Sequence, residues 1–327
     1  MTVSAPATVN NGDAPATFSE LFAAITANVE RVIQGKREVV ELALICMLAE
    51  GHLLLEDVPG VGKTSLAKSL AASLACTWKR VQFTPDVLPT DVVGVTIWNR
   101  GKDVFEFRQG PVFANLVLGD EINRASPKTQ SALLEAMEEG QVTVDGNTYP
   151  LSQPFMVIAT QNPVEHEGTY PLPESQLDRF LMRISLGYPS RQAEIDILGV
   201  HASNGTLPDL RPVATSGQIL AMVLAVRQVH VAPALKSYLV DIAEATRRHP
   251  GILLGMSPRA TLSLMRASRA RAAAAGRTYV IPDDVKALAE PVLAHRLALS
   301  AEAQLAGATP ALLLAQVFAS VPVPTGK

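Results

Sequence analysis

Short continuous apolar runs alternate with runs of helical period through the first half of the chain. The continuous runs predict buried strands, at Leu53–Leu55, Trp78–Phe83, Asn115–Gly119, Phe155–Thr160 and Met182–Leu186. The periodic runs predict helices, at Phe18–Val29, Glu38–Glu50, Ser65–Leu74 and Pro127–Glu139. Alternating strands and helices indicate a mostly parallel sheet that is covered by helices on both faces.

Cap and turn residues sharpen this pattern. Thr17 and Glu20 have the spacing of a capping box at the start of the first helix, and Gly51 is expected to end the second helix. Pairs of strand-like segments around turn residues predict two β-hairpins, Val95–Trp98 with Val104–Phe107 and Val142–Val144 with Asn147–Leu151.

From Pro189 onwards no strand pattern recurs. Helices are predicted at Arg191–Val200, Gln218–Val226, Ala234–His249, Arg259–Ala275 and Asp283–Ala298, with Pro291 bending the last of them. We therefore expect a disordered tail at 1–17, an α/β domain at 18–188 and an all-helical domain at 189–327. Truncation before Pro189 is expected to leave a folded core.

The segment Leu53–Lys68 joins a strand, a glycine-bearing turn and a helix, which is the context of a phosphate-binding loop. Backbone N–H groups at the helix N-terminus would surround the anion, and the helix dipole favours its negative charge. Lys63 would reach the outer phosphates and the Thr64 hydroxyl would hold Mg²⁺. Residues expected to contact the nucleotide here are Asp57, Pro59, Gly60, Val61, Gly62, Lys63, Thr64 and Ser65.

One position departs from the pattern G-x-x-x-x-G-K-[ST]. Asp57 stands where the pattern has its first glycine, and Pro59-Gly60 is expected to provide the turn instead. The alternative is an ordinary glycine turn with a solvated lysine. That alternative is disfavoured because Gly62-Lys63-Thr64 directly follows a strand.

Polar residues follow two of the predicted strands. Asp120-Glu121 ends the strand at Leu116–Leu118, and Asn162 follows Val157–Thr160. Ligands of parallel sheets lie beyond the carboxyl ends of the strands, so Asp120 would hold Mg²⁺ through water and Glu121 would orient or deprotonate the attacking water. Asn162 could fix the water or touch the γ-phosphate. The alternatives are a helix-capping acidic pair and a turn asparagine before Pro163.

Phosphoryl transfer also needs cations on the developing charge, supplied in cis or in trans. Arg179, in the sequence LDRF, and Arg259, in SPRA at the start of a helix, are candidates for this role. By composition alone, each is more readily explained as a surface arginine.

Composition narrows the class of protein. The chain has 327 residues, which is enough for two domains, and its net charge of −3 argues against a nucleic-acid surface. Cys46 and Cys76 have neither metal-site spacing nor a disulfide framework, so a reducing, cytoplasmic compartment is expected. No apolar run reaches the roughly 18 residues of a membrane span, and 1–16 lacks a signal-peptide pattern.

Five motifs occur in one order along the chain, LEDVPGVGKT, GDEINRASPKTQSALLEAMEE, ATQNP, LPESQLDRF and MSPRA. Together they resemble the MoxR family of AAA+ ATPases, over about Phe18 to Leu299. The resemblance implies an AAA+ P-loop core, a parallel α/β sheet with β-hairpin insertions, followed by a smaller helical lid. It also implies that ATP and Mg²⁺ bind and that ATP is hydrolysed.

The resemblance assigns roles to the matching residues. Lys63 is implied as the phosphate-loop lysine, Asp120 as the metal-associated acid and Glu121 as the water-activating acid. Asn162 is implied as the first sensor and Arg259 as the second sensor, in the lid. Arg179 is implied as the finger that reaches a neighbouring subunit, with Arg183 and Arg124 as other candidates. The segment Val32–Gly35, including Ile33, matches the segment that lines the adenine.

The family resemblance also implies an assembly. Members usually form hexameric rings, with both hairpins pointing toward a central pore. They resemble chaperones that mature or assemble client proteins, often with a partner that carries a von Willebrand factor A domain.

Three other functions compete with this one. A small-molecule kinase with the same phosphate loop would have no use for paired sensors and a trans-acting arginine. An AAA+ motor subunit of a metal-chelatase or nucleic-acid-remodelling complex is the nearer alternative, which the balanced charge and the family motifs disfavour. A scaffold that scarcely turns over is disfavoured by the presence of Glu121.

Overall fold

The computed structural model describes residues 17–58, 60–162, 169–189, 191–192, 194–195 and 210–324. Its strands are β1 Leu53–Glu56, β2 Trp78–Gln82, β3 Gly94–Asn99, β4 Val104–Gln109, β5 Leu116–Asp120, β6 Gln141–Val144, β7 Asn147–Pro150, β8 Met156–Gln161, β9 Met182–Ile184, β10 Ile252–Leu254 and β11 Ala298–Leu299.

The helices of the first part are α1 Phe18–Glu30, α2 Arg37–Leu48, α3 Lys63–Ser73, α4 Pro89–Val93, α5 Pro127–Glu139 and α6 Glu174–Leu177. Those of the second part are α7 Ser216–Gln228, α8 Pro233–Arg248, α9 Pro258–Ala274, α10 Pro282–Ala287, α11 Ala289–Leu293, α12 Ala301–Leu305 and α13 Pro310–Ser320. The predicted helix Arg191–Val200 lies mostly outside the described residues.

Five parallel strands form the central sheet, in the order β2-β5-β8-β1-β9. The register places Leu55 opposite Thr160 and Gly119 opposite Ala159, so the strands end together at one end of the sheet. We call this the carboxyl end of the sheet and the opposite one the amino end. Strands of this kind are covered on both faces, and the side chains of β1 and β8 are accordingly buried. The predicted parallel α/β core is confirmed.

Both predicted hairpins are present, as the antiparallel pairs β3–β4 and β6–β7. The two hairpins pack against each other, because the ring of Phe107 on β4 stacks on that of Tyr149 on β7 with centroids 4.2 Å apart. At the far end of the first hairpin, Trp98 and Phe105 meet edge to face at 4.9 Å and are both exposed.

The second part is helical, as predicted, with one addition and one change. The strands β10 and β11 form a small antiparallel pair, so the expectation that no strand recurs was wrong in this detail. The predicted helix Asp283–Ala298 is interrupted at Leu288 and ends in a 3-10 turn, Ala294–Arg296. The interruption places Pro291 in the first turn of α11, where its missing N–H leaves no hydrogen bond unmade.

A further correction concerns the end of α2. This helix ends at Leu48, and Glu50 rather than Gly51 adopts the left-handed conformation, with φ +56°. Gly51 meets a different requirement, since a Cβ atom there would lie 2.3 Å from the side chain of Leu181. The glycine therefore lets the start of β1 and the segment before β9 approach each other.

The two parts share one hydrophobic core. Helix α9 packs against both α1 and α2, and α7 packs against α2. Buried side chains from both sides, such as Val29 and Leu44 with Ile219 and Leu264, belong to one continuous apolar cluster. Within the described part of the chain, no helix combines the length and the apolar character needed to cross a bilayer.

Candidate nucleotide site

The phosphate loop leaves β1 at the carboxyl end of the sheet and enters α3 at Lys63, two residues earlier than predicted. Gly60 and Gly62 have φ values of +85° and +101°, which favour glycine, and no atom lies within 4 Å of a Cβ built on either. The N–H groups of the first turn of α3 have no acceptor within the helix. The loop therefore offers backbone donors beside open space. Pro59 lies outside the described residues.

Lys63 lies among the acidic residues of this end of the sheet. Its Nζ donates to the backbone carbonyl of Asp57 at 2.7 Å. Partial burial lowers the pKa of Lys63, and the nearby carboxylates of Asp57, Asp120 and Glu121 oppose that shift. The structure thus brings the predicted phosphate-binding lysine close to the predicted acidic pair.

Asp57 anchors the loop. Its Oδ2 accepts hydrogen bonds from the backbone N–H of Leu186 at 2.6 Å, that of Gly187 at 2.8 Å and the hydroxyl of Ser185 at 3.0 Å. Its Oδ1 accepts from the N–H of Val58 at 3.0 Å. Asp57 is not among the described non-glycine residues with positive φ, so the backbone does not need glycine here. Asp57, the residue that departs from the phosphate-loop pattern, therefore links the loop to the residues after β9.

The acidic pair is held by side chains of the neighbouring strands. Thr160 donates to Asp120 Oδ1 at 3.1 Å and accepts from the N–H of Glu121 at 2.9 Å. Arg80 Nε donates to Asp120 Oδ2 at 2.7 Å, and Gln82 Nε2 donates to Glu121 Oε2 at 3.0 Å. Glu121 has a left-handed backbone with φ +58°, a costly conformation that is concentrated at functional sites.

The donor set at this end of the sheet suits Mg²⁺. A carboxylate offers about four acceptor positions, and Arg80 and Thr160 each use one position on one oxygen of Asp120. Mg²⁺ typically binds one or two carboxylates together with substrate phosphates. Thr64, in the first turn of α3, adds a hydroxyl oxygen on the side of the phosphate loop.

The remaining predicted contacts lie at the same end. Asn162 is buried directly after β8. Ile33 is buried and Val32 half-buried in the loop between α1 and α2. Lys36, in the same loop, donates to the backbone carbonyl of Tyr188 at 2.8 Å, next to the segment that Asp57 holds. The proposed adenine-lining loop therefore adjoins the phosphate loop.

Arg179 and Arg259 lie elsewhere, at the amino end of the sheet. Arg179 precedes β9, and its Nε is 3.2 Å from Glu138 Oε2, at the end of α5. Arg259, at the start of α9, pairs with Glu138 Oε1. Both arginines line a cavity of about 170 Å³ together with Gly51 and His52, which precede β1. The structure unites the two arginines but brings neither to its own phosphate loop. The role of Arg259 as the second sensor therefore stays a prediction.

The other two arginine candidates face the carboxyl end. Arg183, on β9, pairs with Glu56 Oε2 at 3.0 Å, one residue before the loop begins. Arg124 follows the acidic pair, and its Nε lies 3.6 Å from Glu121 Oε2. Both side chains lie beside the phosphate-loop half of their own chain.

Several residues of the site were not predicted from the sequence. Thr160 and Gln82 hold the acidic pair from β8 and β2, and Glu138 joins the two arginines. A polar residue that ends an apolar strand is a signal that could have pointed to Thr160. Gln82 and Glu138 carry no comparable signal, because their partners are set by strand order and by the position of the second part.

Comparison with known proteins identifies the family. Residues 52–182 match the ATPase family associated with various cellular activities (AAA), and residues 244–316 match the AAA lid domain. Chaperone MoxR1 of Mycobacterium tuberculosis is 42% identical over 90% of this chain and 80% of its own length. The uncharacterized protein YeaC of Bacillus subtilis is 49% identical over 92% of this chain and 94% of its own.

The chain belongs to the MoxR family of AAA ATPases. The resemblance that the motifs suggested is thereby confirmed, and with it the expected ATPase class. A crystal structure of a candidate ATPase from Cytophaga hutchinsonii has the same architecture, with a TM-score of 0.88 and 37% identity. That match covers 94% of this chain and 96% of the other chain. The helical second part is therefore the lid of an AAA ATPase.

Proposed function

We propose that this MoxR-family ATPase binds ATP with Mg²⁺ at the carboxyl end of its sheet and hydrolyses it between two subunits. Lys63 and the amides of the phosphate loop bind the phosphates, and Thr64 and Asp120 hold the metal ion. Mg²⁺ supplies charge neutralisation on the phosphate oxygens. Val32 and Ile33 line the adenine, and Asn162 fixes the attacking water or touches the γ-phosphate.

In the reaction, Glu121 accepts a proton from the water that attacks the γ-phosphoryl group, and ADP leaves. Gln82 and Thr160 support this step by holding the side chain and the backbone N–H of Glu121. Arg179 and Arg259 of a neighbouring subunit stabilise the charge that develops on the transferred group.

The observation that carries the proposal is the placement of the two halves at opposite ends of the sheet. Gly51 and His52 border the arginine cavity, and Asp57 begins the phosphate loop, with all of β1 between them. At about 3.3 Å per residue, the four residues of β1 separate the halves by roughly 13 Å, before the depth of either site is added. An arginine at the amino end therefore requires the phosphates of another subunit.

This placement also distinguishes the candidate fingers. Arg183 and Arg124 already lie beside Glu56 and Glu121, at the phosphate-loop half of their own chain. Arg179 and Arg259 are the candidates whose position fits a trans-acting role. Because each subunit presents both halves, subunits can associate head to tail, and this arrangement forms a ring where the rotation between neighbours closes. A ring of six subunits is expected from the family resemblance.

The cellular role that we propose is chaperone-like remodelling, maturation or assembly of client proteins. The relative from Mycobacterium tuberculosis is named a chaperone, and this supports the proposal. The exposed aromatic pair Trp98 and Phe105 offers an apolar contact for a client at the end of the first hairpin. A cytoplasmic location and a partner with a von Willebrand factor A domain are part of the same proposal.

Mixing two inactive variants tests the shared site. Lys63→Ala should lose nucleotide binding, and Arg179→Ala should bind ATP but hydrolyse it slower by about 10³–10⁵-fold. In a mixed assembly, an intact Lys63 site of one subunit meets an intact Arg179 of its neighbour, so activity should return. Arg259→Ala should behave like Arg179→Ala. Arg248→Ala, which breaks an exposed ion pair with Glu244 in the lid, is the matched control and should remain active.

Recovered hydrolysis supports the shared site only if the two variants assemble into the same oligomers, so assembly is measured on the same mixtures. Native mass spectrometry should show that the two variants form mixed oligomers. The ATP hydrolysis rate per subunit of the unmodified protein should also rise with protein concentration as subunits assemble. If mixed oligomers form and hydrolysis does not return, Arg179 acts in cis or is structural, and the shared site is refuted.

A further inference from the structure

A buried arginine of the lid contacts the residues on both sides of Arg179, and the adjacent His295 also contacts the carbonyl of Phe180 at 3.1 Å. Arg296, in the 3-10 turn Ala294–Arg296, is 7% exposed. Its Nη2 donates to the backbone carbonyl of Phe180 at 2.6 Å, and its Nη1 lies 3.4 Å from Asp178 Oδ1. The guanidinium thus spans the segment that carries Arg179, from the residue before it to the residue after it.

Burying a guanidinium costs desolvation free energy, because a charge taken from water must be compensated by partners. Packing alone would be met at lower cost by an apolar side chain. Burial lowers the pKa of Arg296 to about 10, and the carboxylate of Asp178 opposes the shift. The group is therefore still charged at neutral pH. Its planar fork can bind a carbonyl and a carboxylate at once, which a lysine ammonium cannot do with the same geometry.

A second lid residue reaches the same carboxylate. The hydroxyl of Ser257 donates to Asp178 Oδ2 at 3.3 Å. The same hydroxyl caps α9 by accepting the N–H of Ala260 at 3.0 Å, and Arg259 lies in that first turn. Asp178 therefore connects the segment of Arg179 to the start of the helix that carries Arg259.

We propose that Arg296 is a positioning residue for the trans-acting Arg179, with Asp178 as its partner. Arg296 and Asp178 fix the backbone on both sides of Arg179, and Glu138 fixes its guanidinium. The orientation of the lid then sets the direction in which Arg179 meets the neighbouring subunit. This inference rests on the proposed shared site. It adds that the lid of one subunit influences the rate of ATP hydrolysis on the neighbouring subunit.

The test uses Arg296→Lys in the full chain, which keeps the charge but removes the fork. A misplacement of about 1 Å at a reacting centre can cost on the order of 10²-fold in rate. We therefore expect kcat to fall by about tenfold or more, while KM for ATP changes by less than about threefold. Arg277→Lys is the matched control, because Arg277 makes a two-pronged pair with Asp284 in the lid, away from Arg179. It should keep full activity.

Complementation separates positioning from general damage. Arg296→Lys subunits keep an intact phosphate loop, so Lys63→Ala subunits should restore their activity by supplying an intact finger. Arg179→Ala subunits have the same defect and should not restore it. If Arg296→Lys retains full kcat, or if both partners rescue it equally, the positioning role is refuted. Asp178→Asn carries the same test if Arg296→Lys fails to fold, as judged by circular dichroism.

The two proposals fail in different ways. If Lys63→Ala and Arg179→Ala co-assemble without recovering activity, the shared site itself is refuted. If that pair recovers and Arg296→Lys is fully active, only the role of Arg296 is refuted.

Discussion

At the scale of single residues, Asp57 stabilises the phosphate loop through hydrogen bonds of its side chain, at a position where the pattern has glycine. The phosphate-loop pattern has glycine at this position, yet here the carboxylate binds four donors from two segments. A buried donor without a partner costs about 1–3 kcal/mol. The loop and the residues after β9 are therefore held together by a group that glycine lacks.

Restoring the consensus glycine should consequently weaken the protein. Asp57→Gly leaves the N–H groups of Leu186 and Gly187 without their acceptor and adds flexibility to the loop. We expect the free energy of unfolding to fall by about 2 kcal/mol and the affinity for ATP by about tenfold. Urea denaturation and a fluorescent-nucleotide titration measure the two effects. Asp86→Gly, at an exposed position, is the control, and equal effects of both changes would contradict the anchoring role.

Glu121→Gln should separate nucleotide binding from hydrolysis. The amide preserves the shape of the side chain but cannot accept the proton of the attacking water. General-base catalysis contributes about 10²–10⁴-fold, so we expect a loss of that size with unchanged ATP affinity. Gln82→Ala, which keeps the base and removes its neighbour, should lose much less. A phosphate-release assay measures the ATP hydrolysis rate of both variants. An unchanged hydrolysis rate for Glu121→Gln would mean that another residue is the general base.

The site was predictable where its residues are neighbours in sequence. Lys63 and Thr64 form one local motif, and Asp120-Glu121 follows a strand whose direction is fixed by the fold. Their supports were not predictable, since Gln82 and Thr160 meet Glu121 only through the strand order β2-β5-β8. The same limit explains Arg259, whose position depends on where the lid packs.

At the scale of secondary-structure elements, the first hairpin has one anchored part and one exposed part. Phe107 stacks on Tyr149 and lies edge to face with Phe113 at 5.6 Å, whereas Phe105 is 72% exposed and meets only the ring of Trp98 among the described aromatic contacts. The two phenylalanines lie two residues apart on β4, so they form a matched pair.

The two should differ in their effect on stability. Phe107→Ser removes a half-buried ring from the contact between the hairpins, and we expect a loss of about 2–3 kcal/mol. Phe105→Ser removes an exposed ring and its pairing with Trp98, and we expect a loss of at most about 1 kcal/mol. Urea midpoints of the two variants provide the comparison. A larger loss for Phe105→Ser would mean that the tip is buried in the folded protein.

Elements were predicted well where their ends carry local signals. The hairpin turns at Asn99–Lys102 and Asp145-Gly146 and the capping box of Thr17 and Glu20 were all found from sequence and are present in the structure. The pair β10–β11 was missed because each strand is very short and gains its partner through tertiary packing. The interruption before Pro291 depends equally on how the lid folds back on the core.

At the scale of the whole molecule, the shared core of α1, α2 and the lid changes what truncation should do. A chain that ends at residue 188 would expose the faces of α1 and α2 that pack on α7 and α9. In place of the sequence-based expectation of a folded core, we expect a poorly packed or aggregating fragment. Near-ultraviolet circular dichroism and dye binding report this packing, and a fragment with a cooperative unfolding transition would contradict the expectation.

Two buried histidines should make the whole fold sensitive to mild acid. Burial lowers the pKa of His52 to about 4 and that of His295 to about 3, the latter helped by the charge of Arg296. His52 Nδ1 accepts the N–H of Val157 at 3.0 Å, which requires the neutral ring. Both folded pKa values lie below the unfolded value of about 6.5, so the unfolded chain binds more protons between these limits.

The free energy of unfolding should therefore fall as the pH is lowered below about 6.5. From pH 7 to pH 5, each histidine contributes a loss of about 2 kcal/mol, because each pKa unit corresponds to about 1.4 kcal/mol. Urea denaturation at several pH values measures the slope. His52→Gln should reduce the slope by about half, and a stability that is flat across this range would show that the rings are not held neutral.

The position of Arg179 and Arg259 at the end of the sheet opposite Lys63 has a consequence for heredity. In a cell that carries two damaged copies of the gene, alleles with defects at opposite ends of the sheet would complement each other within one protein assembly. Alleles with defects at the same end would not. Crosses between such alleles would therefore sort substitutions by the end of the sheet to which they belong, without purification of any protein.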